Sequence, residues 1–379
     1  MAVRREGSLP VITVSDFPAK GNTLTVREIA DLARMAEENG IERFGVTDFP
    51  YYYDCIPTMV SCLAATSELA VESLVTTPYA RHPETTACAF ATMSDFSDGR
   101  VILGIGGGVE EPSNVWMEPW GRARPRPLTA MRELVALCRT MWAGTPTPTE
   151  GRVLRGSGLR LRFPLRHPVP ILIAARGENM LELAGELADI VHIAAPFLGP
   201  AYISAMVERI RAGAARSNRT LDDFEIDLTV SACLMDDGQL ARTLAKITTG
   251  AAILWMSGEE KYAQMRRDWH VPDELQVPKA LVEELATVWN MWTGEDLPES
   301  CAAMMDEGVL DQFSIAGTPE ECLGNLSGLV ESFPMVTGLR FKLPPLHGPD
   351  GFGRYAEMLR CIGALRRAWS ARDAQERLA

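Results

Sequence analysis

The sequence of 379 residues contains no recognisable metal-ligand or disulfide pattern. Its eight cysteines are scattered, no two of them form a CxxC pair, and no histidine stands at a zinc-like spacing from them. We therefore expect buried thiols in a reducing compartment and no bound metal.

Features of membrane proteins and nucleic-acid-binding proteins are also missing. No apolar run approaches the roughly 20 residues that span a bilayer, and the N-terminal segment is too interrupted for a signal peptide. The formal net charge of −13 gives no general attraction to nucleic acid or anionic lipid. We expect a cytoplasmic protein that acts on a small molecule.

Signatures of hydrolytic enzymes are absent as well. The sequence has no nucleophile elbow and no recognisable Ser/His/Asp arrangement. Glu110 and Glu111 are adjacent rather than opposed, which is a poor arrangement for the two carboxylates of a glycosidase.

What the chain does contain is a run of glycines directly after an apolar segment. Residues 101–103 lead into Gly104, Gly106, Gly107 and Gly108. Glycine has no Cβ, so the run allows positive φ angles and the close approach of a ligand. Its GxGGG spacing differs from the GxGxxG of a dinucleotide-binding turn, and no Gly-Lys-Ser/Thr follows, so Rossmann and P-loop folds are disfavoured. A glycine-rich strand end without a ligand is the alternative.

Strand and helix patterns alternate along the chain. A helix begins at Thr25, which forms a capping box with Glu28. The strand ends at Asp48, Thr76 and Gly106 recur about every thirty residues, the length of one strand-helix unit. Predicted strands cover residues 11–14, 43–47, 69–76, 101–103, 169–174, 190–194, 224–233 and 338–343. Eight such units predict an α/β protein of the (β/α)8 TIM barrel type.

The predicted domain organisation is a single barrel over residues 1–379 with one helical insertion at residues 254–309. The insertion lies before the last strand and contains Trp255, Trp269, Trp289 and Trp292. We expect it to form a lid or an oligomer contact.

The C-terminal ends of barrel strands converge on the ligand. Arg176 and Gly177 precede a helix whose free N–H groups would favour a phosphate; a surface ion pair is the alternative for Arg176. Asp48 is interpreted as a pocket residue rather than a helix cap. The residues that the predicted strands place at these ends are Asp48, Ser73, Leu74, Val75, Thr76, Gly106, Gly107, Gly108, Ala174, Ala175, Arg176 and Gly177, followed by residues 194–196.

Two histidines have structural interpretations. His82 is expected to cap or pack against the helix that starts at Pro83, and His192, on a predicted strand, is expected in the core or on the pocket floor.

The sequence resembles the bacterial-luciferase-like flavin and deazaflavin oxidoreductases in three motifs that follow the family's order. The motifs are TTPYARHPETTACAFATMSDFSDGRVILGIGGG at residues 76–108, PILIAARGENMLELAGELADIVHIAA at 170–195 and IAGTPEEC at 315–322. The Pro78-Tyr79 and Arg81-His82-Pro83 pattern is most similar to methylenetetrahydromethanopterin reductase and its relatives, which use the deazaflavin coenzyme F420 instead of FMN.

This resemblance implies a (β/α)8 barrel with the flavin-like ring lying over the strand ends. It also implies a non-proline cis peptide after the third strand, on one side or the other of Leu74. Asp48 and Thr76 match residues that contact the ring or its side chain. Residues 106–108 and 175–177 match the backbone that receives the phosphate and the ribityl chain. A homodimer is expected from the resemblance alone.

The sequence differs from the related sugar-phosphate dehydrogenases at three positions, so the roles of their residues there do not apply to this chain. Those enzymes have a histidine where this chain has Phe49, an acidic residue where it has Val109, and a tryptophan where it has Tyr53. These differences argue against sugar-phosphate oxidation. A pocket lined by Phe49, Tyr53, Trp116 and Trp120 indicates a larger, flatter or more apolar substrate.

The sequence therefore predicts a reductase that passes hydride from C5 of reduced F420 to an imine, iminium or activated alkene of a small organic substrate. Tyr53, Glu110 and His82 are the candidate proton donors. One alternative is an FMN-dependent monooxygenase supplied by a separate flavin reductase. Another is a family member that binds flavin without turnover, because Phe49 and Val109 occupy the usual acid-base positions.

Overall fold

The structure is a computed structural model of the chain. It describes residues 9–15, 24–49, 52–108, 126–256, 275–290, 296–346 and 350–376. Glu110, Trp116 and Trp120 lie outside these ranges, as do Val109, Trp269 and Trp292.

Parallel strands form the centre of the fold. In the part of the chain that the structure describes they are β1 Val11–Ser15, β2 Arg43–Val46, β3 Ala70–Ser73, β4 Val101–Gly106, β5 Ile171–Ala175, β6 Ile190–Ile193, β7 Glu225–Leu234, β8 Ser314–Gly317 and β9 Gly338–Lys342. Strands β1 to β7 pair in chain order, β7 pairs with β9, and β9 pairs with β1. Eight strands thus close into a barrel, which confirms the predicted (β/α)8 fold and all eight predicted strands.

Helices connect the strands on the outside. They are α1 Val26–Glu38, α2 Cys55–Ala65, α3 Pro83–Phe96, α4 Pro127–Trp142, α5 Glu178–Leu187, α6 Pro200–Arg216, α7 Gly238–Met256, α8 Lys279–Val288, α9 Glu299–Met304, α10 Glu307–Leu310, α11 Pro319–Ser332 and α12 Gly351–Glu376. The predicted capping box is present, since the Thr25 hydroxyl accepts the N–H of Glu28 at 3.2 Å and the Glu28 carboxylate accepts that of Thr25 at 2.7 Å. Helix α1 therefore begins where its sequence predicts.

The sequence did not predict β8, which adds a strand outside the closed barrel. Strand β7 has ten residues, of which 227–231 pair with β9 and 231–234 pair with β8. Strand β8 has only four residues and ends at a Gly-Thr-Pro turn, so it shows no repeating strand pattern of its own. Part of the predicted insertion is helical, because α8 and α9 fall within it and α10 begins inside it.

Side chains inside the barrel divide into two groups. One, here called the apolar half, comes from β3 to β6 and consists of Ala70, Val75, Ile102, Leu172, Ala174 and Ile190. The other, here called the charged half, consists of Arg43, Glu72, Glu225, Asp227 and Arg340. Arg340 and Asp227 lie on the neighbouring strands β9 and β7, but the other contacts of this half join strands that are not neighbours, such as β3 and β9, and so cross the barrel interior.

Candidate functional site

After β3 the chain keeps its contacts with both neighbouring strands, because the Leu74 N–H donates to the Val46 carbonyl at 2.8 Å and Thr76 pairs with Ile105 of β4. The Leu74–Val75 peptide bond is cis, in one of the two positions that the family resemblance implies. The Ser73 hydroxyl donates to the Gly104 carbonyl at 2.8 Å and accepts the Gly104 N–H at 3.0 Å. Because Ser73 is fully buried in these two bonds, its side chain joins β3 to β4.

The glycines after residue 103 fall into two pairs with different surroundings. A Cβ on Gly104 would lie 1.9 Å from the Ser73 carbonyl oxygen, and one on Gly106 would lie 2.8 Å from Cγ2 of Val75. These two glycines therefore leave space for residues 73–75 at the end of β3. The next two lie beyond the strand: Gly107 would place a Cβ 3.0 Å from Met180 Cε, and Gly108 has a φ of +73°, a conformation that favours glycine.

Asp48, at the end of β2, is fixed by an arginine from the Arg-His-Pro motif. Arg81 donates from Nη1 to Asp48 Oδ2 at 2.6 Å and from Nη2 to Oδ1 at 3.2 Å. Its Nη2 also reaches Asp54 at 2.9 Å, and its Nη1 lies 3.4 Å from the hydroxyl of Thr76. Burial alone would lower the pKa of Arg81, but the hydrogen bonds to Asp48 and Asp54 and the surrounding negative charge together outweigh it and raise that pKa.

The N-cap of α2 is Asp54, whose carboxylate accepts the N–H of Ile56 at 2.9 Å. Asp48 is therefore not a helix cap. Arg81 links Asp48 and Thr76, the two side chains predicted to contact the ring, into one polar group at the ends of β2 and β3.

The described candidates for proton donor lie on exposed loops. Tyr53 is 50% exposed. His82 is the N-cap residue of α3 but makes no side-chain capping bond, and its side chain is 51% exposed, 3.8 Å from Glu84. Phe49, a predicted pocket residue, lies partly buried with its ring centroid 6.3 Å from that of Tyr52. Their roles stay predictions.

A cationic group occupies another part of the barrel mouth. Cζ of Arg176, after the end of β5, lies 3.9 Å from the centroid of the Trp255 ring, and Nζ of Lys342, at the end of β9, lies 5.9 Å from it. All three side chains are partly buried. We call Arg176, Trp255 and Lys342 the mouth cluster. The sequence singled out Arg176 as a phosphate ligand but did not connect it with Lys342, because only barrel closure brings β5 and β9 to one mouth.

Below the mouth, Arg340 ties the charged half to a histidine. It pairs with Glu72 and, at 3.0 Å, with Asp227, and its Nε donates to Nδ1 of His192 at 3.1 Å. Because arginine only donates, Nδ1 carries no proton, so Nε2 carries it and donates to Thr229 at 3.2 Å. Burial, with the charge of Arg176, lowers the pKa of His192 to about 3, which keeps this buried side chain neutral.

Three carboxylates in the charged half face two guanidinium groups. Arg43 pairs with Glu225 at 2.5 Å and lies 3.5 Å from Asp227. Burial raises the pKa of Asp227 to about 7, with Glu225 adding to the rise and Arg43 opposing it. Sequence reasoning missed this network, although charged residues at alternate positions of apolar strands are a signal for it.

No helix in the part of the chain that the structure describes has both the length and the apolar content needed to cross a membrane.

Comparison with known proteins decides the family. The sequence matches the luciferase-like monooxygenase family over residues 10–334. The chain belongs to this family. The predicted family resemblance is therefore confirmed, and this luciferase-like chain is an oxidoreductase.

Several members with known names are similar to this luciferase-like protein. It is 28% identical over 306 residues to 5,10-methylenetetrahydromethanopterin reductase of Methanolobus tindarius, covering 81% of this chain and 87% of that one. It is 28% identical over 254 residues to an F420-dependent glucose-6-phosphate dehydrogenase of Beutenbergia cavernae, covering 65% and 74%. The solved coenzyme F420-dependent tetrahydromethanopterin reductase of Methanopyrus kandleri superposes with a TM-score of 0.74 at 22% identity, covering 94% of this chain and 98% of that one.

Proposed function

We propose that this protein is an F420-dependent reductase that transfers hydride to an imine, iminium or activated alkene of a small organic substrate. The observation that carries the proposal is the similarity, over 81% of the chain, to an enzyme named as a methylenetetrahydromethanopterin reductase. The second relative is named as F420-dependent, which supports the same cofactor.

The residues at the strand ends fit a planar ring with a phosphate tail. Val75, Ala174 and Gly106 give a floor of small apolar groups under the mouth. At its edge, a Cβ on Gly107 would fill the space toward Met180 and Pro127. A flat apolar floor beside bare backbone suits a ring whose tail is held by N–H groups.

When bound, the deazaflavin supplies the hydride, and the chain supplies binding, orientation and exclusion of water. Val75 and Ala174 would support one face of the ring. Asp48 would offer a carboxylate that Arg81 holds in place. Residues 106–108 and 175–177 would offer backbone N–H groups to the phosphate and ribityl chain. A proton for the substrate would come from Tyr53, Glu110 or His82.

Titration of the purified protein with F420 and with FMN, followed by cofactor fluorescence, tests the cofactor. We expect saturable F420 binding and much weaker FMN binding. Tight FMN binding with no response to F420 would contradict the proposal and favour the FMN-dependent monooxygenase, which agrees with the family's description. Oxidation of bound reduced F420 by an added imine would exclude binding without turnover.

Gly107→Leu should lower F420 affinity at least about tenfold because its side chain would enter the predicted tail site. Gly328→Leu is the matched control, since a Cβ on Gly328 meets no atom within 4 Å on α11. Melting temperatures of both variants should stay near that of the wild type. Equal F420 affinity in the two variants would show that Gly107 only forms a turn. The homodimer and the cytoplasmic location stay predictions.

A further inference from the structure

The mouth cluster joins side chains from distant parts of the barrel. Arg176 follows β5, Lys342 ends β9, and Trp255 lies near the end of α7, which follows β7. Strand β5 is separated from β9 by β6 and β7. The Arg176 side chain therefore extends from β5 toward the β7 and β9 side, where it meets Trp255 and Lys342.

Strand alternation explains why both cations point inward. Leu172 and Ala174 of β5 belong to the apolar half inside the barrel, and successive side chains alternate between the two faces of a strand. Arg176 continues this inward series. Arg340 of β9 is also inside, and Lys342 follows it at the next inward position.

The contacts place two positive charges against one indole. Both distances to the Trp255 ring lie within the roughly 6 Å that defines a cation–π contact. Burial, with the nearby charge of Arg176, lowers the pKa of Lys342 to about 8. Burial also lowers the pKa of Arg176 to about 10. The negative charge of an oxyanion bound between the two cations would raise both pKa values again. The planar guanidinium group of an arginine matches the geometry of a carboxylate or phosphate.

The cluster faces the predicted cofactor edge across the mouth. That edge consists of Asp48, Thr76, residues 106–108 and the backbone of residues 175–177, from β2 to β5, whereas Trp255 and Lys342 come from the β7 and β9 side. Only the side chain of Arg176 extends from the cofactor edge to the other two members of the cluster. A substrate between these two sides would contact the cofactor on one side and the mouth cluster on the other.

We propose that the mouth cluster binds the anionic group of the substrate, a carboxylate or a phosphate ester. The inference rests on the proposed function, because it takes the strand ends as the active site. It narrows the substrate class to organic anions whose reducible bond lies close to the charged group.

Calorimetric titration with benzoate, inorganic phosphate and the neutral benzamide tests this inference, using both the F420-loaded and the cofactor-free protein. We expect the anions to bind more tightly than benzamide. Lys342→Met and Arg176→Met should each weaken anion binding about tenfold or more, as expected for a charge-assisted hydrogen bond. A preference for benzoate over phosphate, or the reverse, assigns the carboxylate or the phosphate ester.

Lys279→Met is the matched control, because Lys279 lies on α8 with a side chain that is 89% exposed and pairs with Glu283. It should leave anion binding unchanged. Equal anion affinity in Lys342→Met, Lys279→Met and the wild type would overturn the inference. Benzamide binding as tightly as benzoate would also overturn it.

A pH profile separates charge recognition from a structural role. Benzoate affinity should fall as the pH rises through about 8, where Lys342 loses its proton. The other titratable groups coupled to Arg176 stay neutral there, because burial lowers the pKa of His192 and raises that of Tyr202. Lys342→Arg should keep the affinity for benzoate and remove its fall near pH 8. An unchanged fall in Lys342→Arg would contradict the assignment to Lys342.

The cofactor's own phosphate is the competing ligand. If Lys342→Met weakens binding of F420 but not of the deazaflavin nucleoside without its phosphate tail, the cluster holds the cofactor and the inference is wrong. If the wild type binds no F420 while the cofactor-free protein still binds benzoate through Lys342, the proposed function fails and the anion site stands.

Discussion

The two halves of the barrel interior are stabilised by different interactions. The apolar half packs side chains of neighbouring strands, from β3 to β6, against one another. In the charged half, ion pairs also connect strands that are not neighbours, as Arg340 of β9 does with Glu72 of β3. The comparison shows that packing supports the wall under the predicted cofactor edge, whereas ion pairs brace the wall between β2, β3, β7 and β9.

Of the substitutions that test this comparison, Arg340→Met should lower the free energy of unfolding the most. The substitution leaves Glu72 and Asp227 buried without their main cation, which typically costs about 3–5 kcal/mol. We expect a loss of that size in the free energy of unfolding, measured by urea denaturation.

Ile102→Val in the apolar half is the matched control, with an expected cost of about 1 kcal/mol. Adding Glu72→Gln and Asp227→Asn to Arg340→Met should recover part of the loss, since no unpaired carboxylate then remains. If Arg340→Met costs no more than Ile102→Val, the two halves do not differ in the way described.

A smaller effect is expected for Gly104→Ala on the apolar side. Its Cβ would lie 1.9 Å from the Ser73 carbonyl oxygen, so the end of β3 would have to shift. Overpacking of this kind costs about 1–3 kcal/mol. Thermal unfolding measures the loss.

Gly107→Ala provides the comparison within the same glycine run. Its Cβ would meet only the terminal methyl group of Met180 at 3.0 Å, which can move, and the Cβ of Pro127 at 3.7 Å. We expect its melting temperature to stay near that of the wild type. A lower melting temperature for Gly107→Ala than for Gly104→Ala would reverse the assignment of the two glycines.

The smallest effect is the pH dependence of Asp227. Its pKa is raised from 3.8 to about 7 in the folded protein, so the folded state holds this proton more tightly than the unfolded chain. Stability from this group is present at low pH and is lost as the pH rises through about 7. Between pH 8 and pH 6, the free energy of unfolding of the wild type should therefore rise by about 1 kcal/mol relative to that of Asp227→Asn, as measured by urea denaturation at each pH. A constant difference between the two proteins across this range would show that Asp227 does not titrate there.

The barrel wall could be predicted from the sequence because its strands carry a strong local signal. Apolar and β-branched runs such as residues 101–103 and 171–173 are bounded by glycine, proline or charged residues. Strand β8 escaped prediction because its four residues are too few for a repeating pattern and pair with the extended end of β7.

The ion pairs of the charged half could not be predicted from local patterns, because the sequence does not show which charge pairs with which. Arg340 stands between Leu339 and Phe341, and Glu72 follows Val71. The pairing of Glu72 with Arg340 spans 268 residues and exists only in the closed barrel. Strict alternation of inward and outward positions would have placed both side chains inside, where a buried charge requires a partner.

The sequence predicted which residues of the candidate site lie at strand ends. It did not predict which side chains contact one another there. Asp48 and residues 106–108 follow predicted strands, and the cis bond occurs beside Leu74 as the family resemblance implies. That Arg81 would fix Asp48, or that Trp255 would bring Arg176 and Lys342 together, depends on long-range packing. The individual roles of these residues in binding and catalysis stay predictions.

The length of β7 has a consequence for how substrate range can change in this protein. Residues 225–231 complete the wall, and residues 231–234 project past it to hold β8, whose Ser314 lies 2.9 Å from Thr249 of α7. Helix α7, which carries Trp255, is thus bonded to β8, a strand that is not part of the closed barrel. We expect that substitutions in α7 around Trp255 would alter what enters the mouth while the eight strands stay closed, which makes this helix a starting point for redesigning specificity.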